Sequence, residues 1–207
     1  MVDWRYERKI IRTTGALVAG MDEVGRGPLA GPVTAAIVVL PARRVPAGLD
    51  DSKALSAARR ETLFAEIVAA ALAIGVGQAT AAEIDRVNIR QATHLAMRRA
   101  ARSLPTPAGH ILIDGSDVPD DLPCPATPLI KGDALSASIA AASIVAKVLR
   151  DRQMARLAQA YPAYGFERHA GYATAAHRAA LAAHGPCPHH RMTFAPCAHF
   201  VAPGAAP

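Results

Sequence analysis

GMDEVGRGPLAGPV, residues 20–33, sets how the chain begins to fold, because its glycines and prolines separate two short apolar runs. Residues 17–21 precede the punctuation and residues 33–40 follow it, so the two runs read as strands joined by a structured turn and able to pair antiparallel. The first run ends in Asp22 and Glu23. Neighbouring residues of a regular strand point to opposite faces, so bringing both carboxylates to one place needs a break in the strand. Gly25, Gly27 and Pro28 follow at once and permit such a turn.

Working outward, Ser56 stands at a helix N-cap position before the periodic run 57–72, with Leu63, Ile67, Val68 and Leu72 as its expected buried face. Residues 74–80 alternate small and apolar side chains like a strand. Residues 88–104 read as a second helix, with Arg90, Arg98, Arg99 and Arg102 on a solvated side. Two more short strands follow, His110–Asp114 and 127–131, the second leading into Lys-Gly-Asp at 131–133. Residues 134–161 form a long helix whose Ala140, Ala141, Ala142 and Ala146 allow close approach to a sheet. Alternating strands and helices predict an α/β fold, a mixed sheet flanked by helices, and in such sheets functional sites collect at strand ends.

Three of these strands lead into acids: Asp22 and Glu23, Asp114, and Asp133. Taken singly, an acid after a strand is more often a loop or cap residue. Brought together, the four would form a cluster that cannot stay fully ionised without a cation, and carboxylate oxygens suit hard ions such as Mg2+ or Mn2+. Two such ions can clamp the attacking and leaving oxygens of a phosphodiester.

Composition sets outer limits. The 207 residues are 51% hydrophobic and 19% charged, too apolar for a disordered chain and enough for one domain over 1–207. The net charge of +6 favours an anionic partner without identifying it. MVDWRYERKI has no apolar run behind its charges, and no stretch approaches the roughly 20 apolar residues of a membrane helix, so a cytoplasmic protein with no membrane partner is expected. Cys124, Cys187 and Cys197 are too few and too scattered for a disulfide framework. Cys187, His189, His190, Cys197 and His199 offer soft ligands near the C-terminus, but their spacing fits no common zinc pattern. The final residues, VAPGAAP, read as a frayed end.

The stretch 20–33 resembles the signature of the type 2 ribonucleases H, over fourteen consecutive residues. The resemblance continues in order through DSKALS at 51–56, EIDRVNI at 83–89, ILIDG at 111–115, KGD at 131–133, AASIVAKVLRD at 141–151, YGFERHAGYATAAH at 164–177 and HGP at 184–186. It implies a ribonuclease H-like sheet with a helical C-terminal extension over about 150–207, and a monomer. It also implies hydrolysis of RNA paired to DNA and cutting on the 5′ side of single ribonucleotides in duplex DNA, leaving 3′-hydroxyl and 5′-phosphate ends. Asp22, Glu23, Asp114 and Asp133 fall on the family's metal ligands for two divalent ions, Mn2+ or Mg2+. Gly25, Arg26 and Gly27 fall on the motif whose backbone contacts the ribose 2′-hydroxyl, the group that distinguishes RNA from DNA. Tyr172 falls on the residue that senses the RNA–DNA junction, and Lys53, Ser143 and Lys147 on positions that bind the nucleic-acid backbone. No protein nucleophile is implied. The signature begins at Gly20, which fits type 2 better than the related type 3 enzymes with their added N-terminal domain.

Two positions depart from the family pattern, Ala170 and Met192 each standing where a basic residue is usual, which would weaken phosphate contacts but not the acids. A nucleotide-cradling loop is a poor alternative for GRGPLAG, since no Gly-Lys-Ser/Thr follows and the glycine spacing does not match a dinucleotide fingerprint. A binding protein that has lost catalysis is disfavoured by the presence of all four acids.

Overall fold

The structure, a computed structural model, describes residues 2–200. Strand β1, Val18–Val24, lies at the centre of a five-stranded mixed sheet with β2, Val33–Val39, β3, Ala73–Ala79, β4, His110–Asp114, and β5, Ala126–Leu129. The strand order is β3-β2-β1-β4-β5. β1 pairs antiparallel with β2 and β2 with β3, while β4 runs parallel to both β1 and β5. The antiparallel pairing expected of the first two strands is therefore present, and so is the mixed sheet.

Helices cover both faces, and the pleat of the sheet divides the side chains between them. Ala19, Met21, Ala35 and Ile37 pack with helix α3, Ala81–Arg102, on one side. Ala36 and Val38 pack on the other against helices α2, Ala57–Ala70, and α4, Ala137–Ala160. The alanine-rich α4 crosses β1 closely enough that a methyl group on Gly20 would lie 2.1 Å from the carbonyl carbon of Ser138. Only glycine fits there, which explains why the strand leading to Asp22 carries one.

Several boundaries differ from the sequence reading. β1 does not break at Asp22–Glu23 but continues in register, with Asp22 opposite Ala36 and Glu23 opposite Ala35. The chain turns one residue after the strand, at Gly25, where φ is +92°. In α2, Leu63 and Ile67 are buried, but Val68 and Leu72 are 53% and 52% exposed. Val68 lies one residue, about 100°, round from Ile67, and the helix ends before Leu72. α3 starts seven residues earlier than expected, on a capping box between Thr80 and Glu83, and Asn88 at φ 66° interrupts it where the helix was expected to begin. Of its arginines, Arg90, Arg99 and Arg102 pair with Asp117, Glu83 and Asp121 at the surface.

A short helix α1, Arg5–Thr14, was not foreseen. Its buried Glu7 accepts hydrogen bonds from Ser136 Oγ at 2.6 Å and Ser138 N–H at 2.8 Å, anchoring α1 on the first turn of α4. α4 runs unbroken to Ala160, so the boundary expected near residue 150 falls inside it. Beyond it come a 3-10 turn, Pro162–Tyr164, and helices α5, Phe166–His169, α6, Ala175–His184, and α7, Ala195–Ala198. The frayed end expected at 201–207 lies outside the described residues. Among those residues no helix is long and apolar enough to cross a membrane.

Candidate active site

Three carboxylates meet at one end of the sheet. Asp22 comes from β1, Asp114 from the last position of β4, and Asp133 from a 3-10 turn, Gly132–Ala134, that follows β5. One oxygen from each lies within 4.8 Å of the others. The parallel pairing of β4 with β1 and β5 brings these chain segments side by side. The loop geometry completes the arrangement, because Lys131 adopts a left-handed conformation at φ 57° and turns the chain back. Asp114 then accepts the backbone N–H of Gly132 at 2.7 Å, tying the two strand ends together.

Burial makes this cluster electrostatically demanding. Asp22 is 6% exposed, and its carboxyl is pushed well above the usual carboxylate range by burial and then by Glu23 and Asp114. Ser143, on α4, and the N–H of Glu23 partly offset this by hydrogen bonding to it. Asp133 is raised by burial and then by Asp114. The nearest cation is Lys53, whose Nζ stands 4.0 Å from Asp133; burial opposes its charge, but Asp51, Asp133, Asp22 and Asp114 hold its pKa up. One exposed ammonium at that distance is weak compensation for buried acids.

Glu23 is placed differently. Continuing β1 through this residue puts its side chain on the α3 face, where its carboxylate meets Arg26 Nη1 at 3.2 Å and lines a cavity of about 180 Å³ with Arg90, His94, Asp114 and Asp117. Its pKa is raised by burial, against the lowering effect of Arg26, and Asp114 adds to the rise. Asp114 thus stands between Glu23 and the other two acids.

The residues after β1 form a loop held from within. Arg150 of α4 is fully buried and donates to the carbonyls of Pro32, Ala170 and Ala30 at 3.0, 3.0 and 3.2 Å. Arg191, also fully buried, donates to Arg26 O at 2.8 Å, Gly31 O at 2.9 Å and Gly25 O at 2.5 Å. Burial and then the charge of Arg150 pull Arg191 down to about 9, which leaves it charged at neutral pH. The role of both arginines was missed in the sequence. A signal existed for Arg150, the lone charge at helical spacing between Ala146 and Met154 in a buried helix.

Tyr172 is 44% exposed, and a methyl group at Gly27 would lie 3.8 Å from its Cε1, so the ring borders the exposed Arg26–Gly27 segment. Ser143 is buried, and its hydroxyl donates to Ser52 Oγ at 2.9 Å. Lys147 is half-buried and paired with Asp151 at 2.7 Å. Ala170 takes a left-handed conformation at φ 48°, and Met192 donates its N–H to Asp85 at 2.8 Å. The cysteines and histidines near the C-terminus do not gather into a metal-binding group; among the described residues the acids at 22, 114 and 133 alone do so.

His177 and His190 are buried and bonded to each other at 3.0 Å between Nε2 atoms. Burial and then His177 hold His190 down to about 4, and burial also lowers His177. Because the folded-state value of His190 lies below the unfolded one near 6.5, the associated stability is full above that pH and is lost as pH falls from about 6.5 toward about 4. Thermal unfolding of wild type and His190→Gln across this range measures it. The stability difference between the two proteins is expected to shrink on acidification by on the order of 2 kcal/mol; a pH-independent difference would contradict the assignment.

The ribonuclease HII family model matches residues 19–197. A ribonuclease HII of Rhizobium etli is 55% identical over 194 residues, covering 94% of this chain and 84% of that protein. One of Bartonella henselae is 58% identical over 180 residues, covering 86% and 81% respectively. Among solved structures, the ribonuclease H2 of Pyrococcus horikoshii matches with a TM-score of 0.75 at 28% identity, over 88% of this chain and 95% of that one. The fold, the clustered acids and these matches agree: the chain belongs to the ribonuclease HII family, endoribonucleases that act on RNA/DNA hybrids.

Proposed function

We propose that this chain also cuts duplex DNA at single embedded ribonucleotides, on their 5′ side, leaving 3′-hydroxyl and 5′-phosphate ends. The observation that carries the reading is the adjacency of two exposed features. The Arg26–Gly27 backbone, where glycine permits close approach, borders the partly exposed ring of Tyr172, a few residues along the chain from the acids. A reader of that size fits one 2′-hydroxyl and the neighbouring sugar, with backbone groups meeting a hydroxyl that both donates and accepts.

The ribonuclease H family depends on divalent metal, and the acids here fit such an ion, being oxygen donors, buried, mutually repelling and short of a balancing cation. In this proposal Asp22, Asp114 and Asp133 hold it, Glu23 serves a second one from the far side of Asp114, and Mg2+ or Mn2+ suits both. Bound cations of this kind neutralise the charge that builds up on the attacking and leaving oxygens of a phosphodiester. The protein's own part is to fix the carboxylates through the Gly132 N–H to Asp114 bond and the Glu23 N–H to Asp22 bond. In this reading Lys53, exposed beside the acids, and Lys147, half-buried and paired with Asp151, would meet backbone phosphates. Ser143, expected to bind the nucleic-acid backbone, is buried and bonded to Ser52, so no phosphate contact is assigned to it in this reading.

The test is cleavage of a DNA duplex carrying one ribonucleotide, with both product ends mapped. One cut, immediately 5′ of the ribonucleotide, is expected. Cleavage confined to continuous RNA/DNA hybrids would overturn the single-ribonucleotide reading.

A further inference from the structure

The carbonyl of Tyr172 is the end point of a buried chain of hydrogen bonds whose direction is forced. At its far end the backbone N–H of Cys187, which can only donate, meets His190 Nδ1 at 3.0 Å. At the near end the Tyr172 carbonyl, which can only accept, meets His177 Nδ1 at 2.9 Å. The two rings join through their Nε2 atoms at 3.0 Å. A neutral imidazole has one N–H and one acceptor nitrogen. His190 must therefore accept at Nδ1 and donate from Nε2, and His177 must accept at Nε2 and donate from Nδ1 to Tyr172. Every donor and acceptor is then matched, and a proton added to either ring would leave two donors facing each other.

The surroundings hold the rings in place. His169 stacks on His177 at 4.5 Å, accepts the N–H of Gly171 at 3.2 Å and bonds the Tyr164 carbonyl at 2.9 Å. Phe166 meets His177 edge-on at 5.5 Å, and Tyr164 lies 4.9 Å from His190. The titratable groups facing the pair are His169, Tyr164, His189 and Cys187, whose Sγ is 3.2 Å from His190 Nδ1. None of these is a carboxylate; Asp85 lines a cavity shared with His190, but its oxygens accept the N–H groups of Met192 and Thr193. Burial lowers both histidines, His190 to about 4, in agreement with a neutral pair.

We propose that His190 and His177 are positioning residues for substrate recognition, a directed relay that fixes the Tyr172 backbone and so aims its ring at the sugar beside the scissile phosphate. Apolar side chains would fill the same space but would leave the imidazole-facing side of the Tyr172 carbonyl and the Cys187 N–H without these partners. The inference rests on the reading of Tyr172 as a sugar-contacting residue, and the experiment separates the two.

The first measurement is ¹⁵N NMR of the wild-type imidazoles. His177 is expected as the Nδ1–H tautomer and His190 as the Nε2–H tautomer, and the opposite tautomer at either ring overturns the relay without any variant. The second compares His177→Asn, whose amide can donate near the Nδ1 position, with His177→Gln, whose amide lies nearer Nε2. The readout is the ratio of kcat/KM for a single-ribonucleotide duplex to that for a continuous hybrid, in which shared chemistry cancels. The Gln variant is expected to lower this ratio roughly tenfold, the scale of one lost hydrogen bond, while the Asn variant holds it within about twofold despite a similar fall in Tm. A ratio that merely follows Tm through both variants overturns the proposal. Tyr172→Ala is the control. If it lowers the ratio and His177→Gln does not, only the relay fails; if it leaves the ratio intact, the Tyr172 reading fails and the relay's role in recognition with it.

Discussion

Asp22→Asn is expected to fold and to lose nearly all hydrolysis, by about a thousandfold or more, equivalent to about 4 kcal/mol of transition-state stabilisation. The substitution conserves shape and removes a charge from a site 6% exposed and crowded by Glu23 and Asp114. Without divalent ions the variant therefore unfolds at the same temperature as wild type or higher, because a buried repulsion has been relieved. Mg2+ or Mn2+ should raise the Tm of wild type by preferential binding to the folded state, and raise that of Asp22→Asn much less. Asp133→Asn should behave alike, and a chelator should silence the wild-type enzyme. Undiminished turnover by either variant, or by the chelated protein, would refute the assignment of these acids to metal.

Arg191→Ala has the second largest expected effect, and it falls on stability. The guanidinium is wholly buried and donates to the carbonyls of Gly25, Arg26 and Gly31, so its removal leaves three acceptors short of partners inside the protein. A loss of about 3–5 kcal/mol is expected, which for a chain of this size lowers Tm by roughly 10 °C. Arg191→Lys should recover only part of it, since one ammonium cannot reproduce a planar fork reaching three carbonyls. Differential scanning calorimetry measures both. Those carbonyls flank the exposed Arg26–Gly27 segment, so the surviving folded fraction should also show a weakened kcat/KM. A variant with wild-type Tm would mean that the loop does not depend on this arginine.

The order of the five strands and the three long helices among them was legible in the sequence because it is written in local patterns, whereas the short helix α1 was not. Short apolar runs marked the strands, Ser56 marked a cap, and the acids at 22, 114 and 133 stood at the ends of such runs, where the sheet brings them together. The alternation of a strand likewise dictated that Asp22 and Glu23 point apart. Whether the chain would break there was not local information. It depends on β2, whose Ala35 and Ala36 keep β1 in register through Val24 and hold the two acids on opposite faces. Helix ends set by kinks, such as Asn88, and one-residue differences in facing, such as Val68 beside Ile67, lie below the resolution of a periodic pattern.

The supports of the site were decided by the tertiary structure alone. Arg150 and Pro32 are 118 residues apart, and Arg191 and Gly25 are 166 apart. A charged residue read in sequence is presumed to face water, since burying it is costly unless partners are supplied. Here the partners are backbone carbonyls of a loop that turns back on itself, and backbone carbonyls carry no residue identity from which the pairing could be read. The histidine relay is hidden for the same reason. Its two ends are a backbone N–H and a backbone C=O, groups that every residue except proline possesses, and only the folded chain selects which of them meet.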